Sequence, residues 1–195
     1  MNRYTFVVRR WWTVPVALVL LVLTSGTVGT GEVPVPSLNG GMAGARVTYF
    51  TPVIVVVAVM YCLDRRLLAA ETTAVVPVHR LDQGAVALTV LLAHGAGLVV
   101  GLDFARNVTL LLALALLVRR LSNEAAATVA GLAFLILNLM LGRAHDAGGH
   151  ATHTWWALAL YPAGSAGAWL VSAGLFLLAL ALGLSASRRP GLTAP

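Results

Sequence analysis

DRRLLAAETTAVVPVHRLD, Asp64 to Asp82, is the long polar interruption that carries several arginines between two strongly apolar runs. Upstream lies TPVIVVVAVMYCL (Thr51–Leu63), and downstream lies GAVALTVLLAHGAGLVVG (Gly84–Gly101). Both flanks are apolar enough for a bilayer, and arginines in short loops collect on the cytoplasmic side. Helix-forming residues open the stretch, Leu67 to Glu71, and then Thr72, Thr73 and Pro77 break the pattern. It reads as a cytoplasmic elbow, residues 64–82, that joins two membrane hairpins and is large enough for another protein to grip.

The composition agrees. Hydrophobic residues make up 59% of the chain and charged residues 10%, where an ordinary soluble domain carries about 25% charged. At about 20 apolar residues per span, 195 residues allow about six helices and leave no room for a nucleotide-binding or catalytic domain. The expected fold is therefore all-α: a single polytopic transmembrane bundle, not an enzyme. Its spans are expected near residues 11–28, 48–63, 84–101, 104–118, 125–142 and 166–185. A net charge of +6 would point to nucleic acid in a soluble chain. Here the positive-inside bias accounts for it, and no nucleic-acid partner is expected. All thirteen basic residues are arginine, which points to a GC-rich bacterial genome and so to a bacterial cell membrane.

Orientation follows from the arginines. The basic arm MNRYTFVVRR runs into Trp11-Trp12, an interfacial anchor. No A-x-A-like site closes the apolar run after it, so that run reads as a retained span. With both termini cytoplasmic, Arg3, Arg9, Arg10, Arg65, Arg66, Arg80, Arg119, Arg120, Arg188 and Arg189 are internal. Arg46, Arg106 and Arg143 are external. The inverse orientation would translocate the larger set. The connector Gly31–Val47 and the segment 143–165 then face outside.

Several polar residues interrupt the apolar runs. Ala93, Gly97 and Gly101 recur every four residues, a spacing of small side chains that lets two helix backbones approach closely. His94 in the same span has no evident partner and reads as a buried neutral histidine. Asp103 and Arg106, three apart, can pair on one helix face. Asn138 can hydrogen-bond across helices. His145, Asp146, His150 and His153 form a metal-like set. Their spacing matches no established motif, however, and Gly148-Gly149 lies among them, so a solvated loop is the plainer reading. The apolar half of that segment, TWWALALYPAGS (Thr154–Ser165), is interrupted by Pro162 and reads as interfacial or re-entrant. Cys62 lies in an apolar run and reads as inert packing. No P-loop, G-x-S-x-G or H-E-x-x-H is present. No carboxylate lies inside a span, so a self-powered ion-coupled carrier is not expected.

The elbow LLAAETTAVVPVHRLD, followed by DFARN and an apolar helix ending in Arg119-Arg120, resembles small membrane subunits of actinobacterial ABC-2-type export systems. The resemblance rests on Glu71 with Pro77-Val78-His79-Arg80-Leu81-Asp82, on the pair Arg106-Asn107, and on Trp155-Trp156 followed by Pro162. It covers about Leu63 to Leu184; the His-rich insert departs from it. It implies a six-span permease without catalytic residues or cofactor, in membrane lipid, energised by a separate ATP-binding subunit that docks on cytoplasmic loops. Arg65, Arg66, Glu71, His79, Arg80 and Asp82 are the docking candidates, and assembly with further copies or a second subunit is open. The rival readings are a membrane metal-binding protein using the histidine set, and a non-transporting membrane scaffold.

Overall fold

The computed structural model describes residues 10–29, 31–36, 42–64, 78–145 and 151–186. These form six helices: α1 (Thr13–Val28), α2 (Thr51–Asp64), α3 (Val78–Val100), α4 (Leu102–Leu121), α5 (Glu124–Leu141) and α6 (Ala166–Ala186). Two small antiparallel hairpins accompany them. In the first, β1 (Glu32–Pro36) pairs with β2 (Met42–Arg46), Glu32 opposite Arg46. In the second, β3 (Arg143–His145) pairs with β4 (Ala151–His153), Arg143 opposite His153. From the sequence, Gly31–Val47 and the first half of the segment 143–165 read as loops, and the strands are short enough to escape a periodicity argument.

The helices alternate in direction, so their ends gather in two groups. At the elbow end, Arg10 donates from Nη1 to the Tyr61 hydroxyl at 2.7 Å, and Thr13 Oγ1 lies 3.2 Å from Cys62 Sγ. Gln83 donates to the Leu180 carbonyl, and Arg120 donates to that of Leu182. At the hairpin end, Val47 N donates to Gly31 O, and Arg143 Nη2 donates to Gly44 O at 2.8 Å. Polar side chains thus cluster at two levels, with an apolar slab between them.

Among the described residues, four helical stretches are long and apolar enough to cross a membrane: Val47–Asp64, Arg80–Val100, Glu124–Leu141 and Ala166–Leu184. The sixteen residues of α1 reach about 24 Å, less than a hydrocarbon core of about 30 Å. The twenty residues of α4 are long enough, but Asp103, Arg106, Arg119 and Arg120 interrupt them. Leu20, Leu23, Leu91, Leu98, Leu170 and Leu177 all stand more than half exposed on the bundle surface. A water-soluble monomer does not carry so much apolar surface.

The core is built around α4. Ten consecutive residues, Phe104 to Ala113, are buried, because α2, α3, α5 and α6 all pack against this helix. It begins earlier and ends later than its apolar segment 104–118. Asp103 in its first turn and Arg119-Arg120 in its last suit the helix dipole, which lets the helix run past the slab at both ends. The helix α3 begins at Val78, so the last five residues of the elbow are helical rather than loop. Gly101, at φ +137°, turns the chain from α3 into α4 in one residue, a conformation open chiefly to glycine. At the elbow end Asn123 caps α5, its Oδ1 accepting from Ala126 N at 2.8 Å. Arg119 pairs there with Glu124 at 2.9 Å.

Candidate functional site

The hairpin end holds a buried polar clasp. Arg106 is fully buried, one turn into α4, where a guanidinium must find acceptors or be expelled. It finds them in the segment before α6. Nη1 donates to Pro162 O at 3.0 Å, and Nη2 donates to Asn107 Oδ1 at 3.0 Å and to Ala159 O at 3.4 Å. Asn107 Nδ2 donates to the same Ala159 carbonyl at 3.0 Å. From the other side Asn138, also fully buried, accepts from Ala159 N at 3.3 Å and donates to Phe134 O at 2.8 Å.

Both backbone groups of Ala159 are therefore satisfied by side chains from α4 and α5. This arrangement seats the 3₁₀ turn Leu158–Leu160 inside the bundle, with Ala157 and Ala159 inaccessible. A non-helical backbone can lie at this depth only where its polar groups are matched by protein. Leu135, Leu139 and Leu160 close the surrounding apolar cluster.

Asp103 and Arg106 form no direct ion pair, although the carboxylate's charge still favours the guanidinium. Arg106 points inward to carbonyls, while Asp103 sits half-exposed over Gly101, whose missing side chain leaves room for the carboxylate. A Cβ there would lie 2.6 Å from Asp103 Oδ1. Asp103 and Asn107 line a cavity of about 290 Å³ between α1, the α3–α4 turn and the chain entering α2.

The other sequence candidates scatter. Arg65, Arg66, Glu71, Asp146 and His150 lie outside the described residues, as do the side chains of His79 and His145. Arg80 is exposed and Asp82 half-buried at the start of α3. His153 is exposed, its ring edge-on to Tyr161 at 5.9 Å. Among the described residues no group of three or more His, Cys, Asp or Glu could hold a metal ion. Ala93 is fully buried. Gly97 abuts Ala105 across the α3–α4 contact, where a Cβ would come within 2.8 Å of the Ala105 Cβ. His94 is half-buried, with Nδ1 2.7 Å from Val90 O and its ring 5.5 Å from that of Trp169.

Fold and clasp together describe a helical bundle with membrane-like surfaces and an inward-folded segment held at one end. Compared with known proteins, the chain matches no family model, no curated protein and no solved structure.

Proposed function

We propose that the chain is the permease subunit of an ATP-driven exporter of the ABC-2 type in a bacterial cell membrane. It spans the membrane six times with both termini inside, and a separate ATPase docks on residues 64–82. The observation that carries this reading is α4, which connects the two polar ends of the bundle through its own arginines. Arg119 Nη2 donates to Leu63 O at 3.2 Å, at the root of the elbow. Arg106, thirteen residues or about 20 Å away along the same helix, holds the segment Ala159–Pro162. In this reading, displacement of the elbow would travel along α4 to the opposite face. The resemblance adds weight, since two stretches that carry it, Arg106-Asn107 and the run ending at Pro162, are hydrogen-bonded to each other.

Replacing Glu71 and Asp82 by Ala removes two acids and leaves Arg65, Arg66 and Arg80 in place. Acids contribute little to orientation, so membrane abundance should stay normal. Charge-assisted contacts at a desolvated interface are worth about 1.5–3 kcal/mol each, so co-purification of the ATPase should fall about tenfold or more. Normal abundance with an undiminished complex would refute docking through this elbow.

A further inference from the structure

The cavity beside the clasp holds more uncommitted polar groups than packing requires. Ser25 Oγ is buried and finds no hydrogen-bond partner among the described residues. Buried hydroxyls are rarely left so. Arg46, Thr48, Tyr49 and Asp103 line the same space. Among the described residues none of these four side chains makes a hydrogen bond or ion pair. Glu32 stands opposite Arg46 in the β1–β2 register, but its carboxylate folds over Gly44 instead. Arg106, the cation three residues from Asp103, is committed to Ala159, Pro162 and Asn107. Two opposite charges and three hydroxyls therefore line one cavity, none of them in a hydrogen bond or ion pair with a described residue, while the Asp103 charge also acts at longer range on the buried Arg106.

Each simpler ligand class leaves part of this set unmatched. An anion satisfies Arg46 and meets Asp103, a cation does the reverse, and a neutral polyol uses the hydroxyls and strands both charges. The volume of about 290 Å³ lies at the small end of ligand pockets, which run about 300–1,000 Å³. It suits a headgroup or a free solute of that size. Val22 and Val99 also line the cavity, and Val28, Leu98 and Val99 stand exposed around it, an apolar rim along which acyl chains can lie.

We propose that this cavity binds a small zwitterion, with its oxyanion at Arg46, its ammonium at Asp103, and the hydroxyls of Ser25, Thr48 and Tyr49 completing the oxyanion's shell. The source is either a phosphoethanolamine lipid headgroup or a free solute of the same chemistry. The proposal does not depend on the exporter reading.

The full chain, purified in a non-ionic detergent, is titrated with phosphatidylethanolamine, phosphatidylglycerol and soluble glycerophosphoethanolamine while its unfolding midpoint is followed. The zwitterionic probe should stabilise the protein saturably, and phosphatidylglycerol should act at least about tenfold more weakly. Arg46→Gln and Asp103→Asn should each weaken the zwitterionic probe about tenfold. Stabilisation by the lipid alone identifies a headgroup site. Equal half-saturation by the soluble headgroup identifies a solute site. Arg46 bonds no other described residue, so Arg46→Gln should leave the unliganded midpoint in place. Asp103→Asn removes a charge from the first turn of α4 and from beside Arg106, and should lower it. Ser25→Ala and Tyr49→Phe leave both charges intact, report on the same cavity and should each weaken binding. Phosphatidylglycerol binding as tightly as phosphatidylethanolamine, indifference to Asp103→Asn, or no saturable binding would overturn the proposal.

Discussion

Arg106 and Asn138 act on one residue, Ala159, from opposite sides, and this makes the clasp a coupled unit. Arg106→Ala strips the carbonyl of Pro162 of its donor and leaves a cavity in the bundle core. Hydrogen bonds to a charged group contribute about 1.5–3 kcal/mol each, so a loss of about 3 kcal/mol or more is expected. Arg106→Lys keeps the charge but lacks the planar fork that reaches several acceptors at once, and should fall between. Asn138→Ala leaves the buried N–H of Ala159 bare, a cost of about 1–3 kcal/mol. The double variant should lose less than the sum, because either single change already frees the turn. Thermal unfolding in detergent, with proteolysis across residues 155–165, measures all of these. Unchanged midpoints and cleavage would mean that the segment is held by apolar packing alone. Little of the clasp was legible beforehand. Asp103 and Arg106 share a helix face, so sequence allows them to pair. Only tertiary packing discloses two backbone carbonyls inside the bundle that satisfy the guanidinium instead. Asn138 was legible in kind, as a polar group in an apolar span, but its partner lies in a segment without periodicity.

Among the elements, the α3–α4 pair tests how closely two backbones are held. Gly97 faces Ala105 so tightly that a methyl group would come within 2.8 Å of another Cβ, and neither group can rotate away. Gly95, two residues earlier on another face, has nothing within 4 Å of an added Cβ. Gly97→Leu should therefore destabilise the protein by about 1–3 kcal/mol through overpacking. Gly95→Leu should change little, and the unfolding midpoints of the two variants give the comparison. Equal effects would mean that the approach at Gly97 does not limit packing. The helices themselves were largely legible, since long apolar runs between arginine-rich or glycine-rich breaks leave few alternatives. Their ends were less so. The start of α3 at Val78 reads from sequence as elbow, because Pro77 looks like a break. A proline just before the first helical residue instead marks a helix start, where its missing N–H costs nothing. The two hairpins were missed for a different reason. Each strand has three to five residues, too few to show alternation.

For the whole molecule, the question is which end faces the cytoplasm, and the arginines at the two ends carry the argument. Of the described arginines, Arg10, Arg80, Arg119 and Arg120 lie at the elbow end, while Arg46, Arg106 and Arg143 lie at the hairpin end. Arg106 is fully buried in the clasp, where carbonyl dipoles solvate a guanidinium that keeps its charge. Arg46, Arg106 and Arg143 therefore oppose the bias. Arg3, Arg9, Arg65, Arg66, Arg188 and Arg189 lie outside the described residues, and the topology expected from the sequence counts them with the internal set. Each arginine in a short loop resists translocation, so the elbow end should be cytoplasmic. Cys62 is the single native thiol and is fully buried, so a cysteine introduced elsewhere will dominate labelling by a membrane-impermeant maleimide. Cysteines at positions 40 and 148, between β1 and β2 and between β3 and β4 in the sequence, should react on intact cells. Those at positions 72 and 192 should react only after the membrane is opened. Reaction at position 72 from outside intact cells would invert the bundle. It would also place the elbow beyond the reach of any cytoplasmic ATPase, and the exporter reading would fail with it. The zwitterion cavity would survive that result, moved to the inner leaflet with its lining residues unchanged.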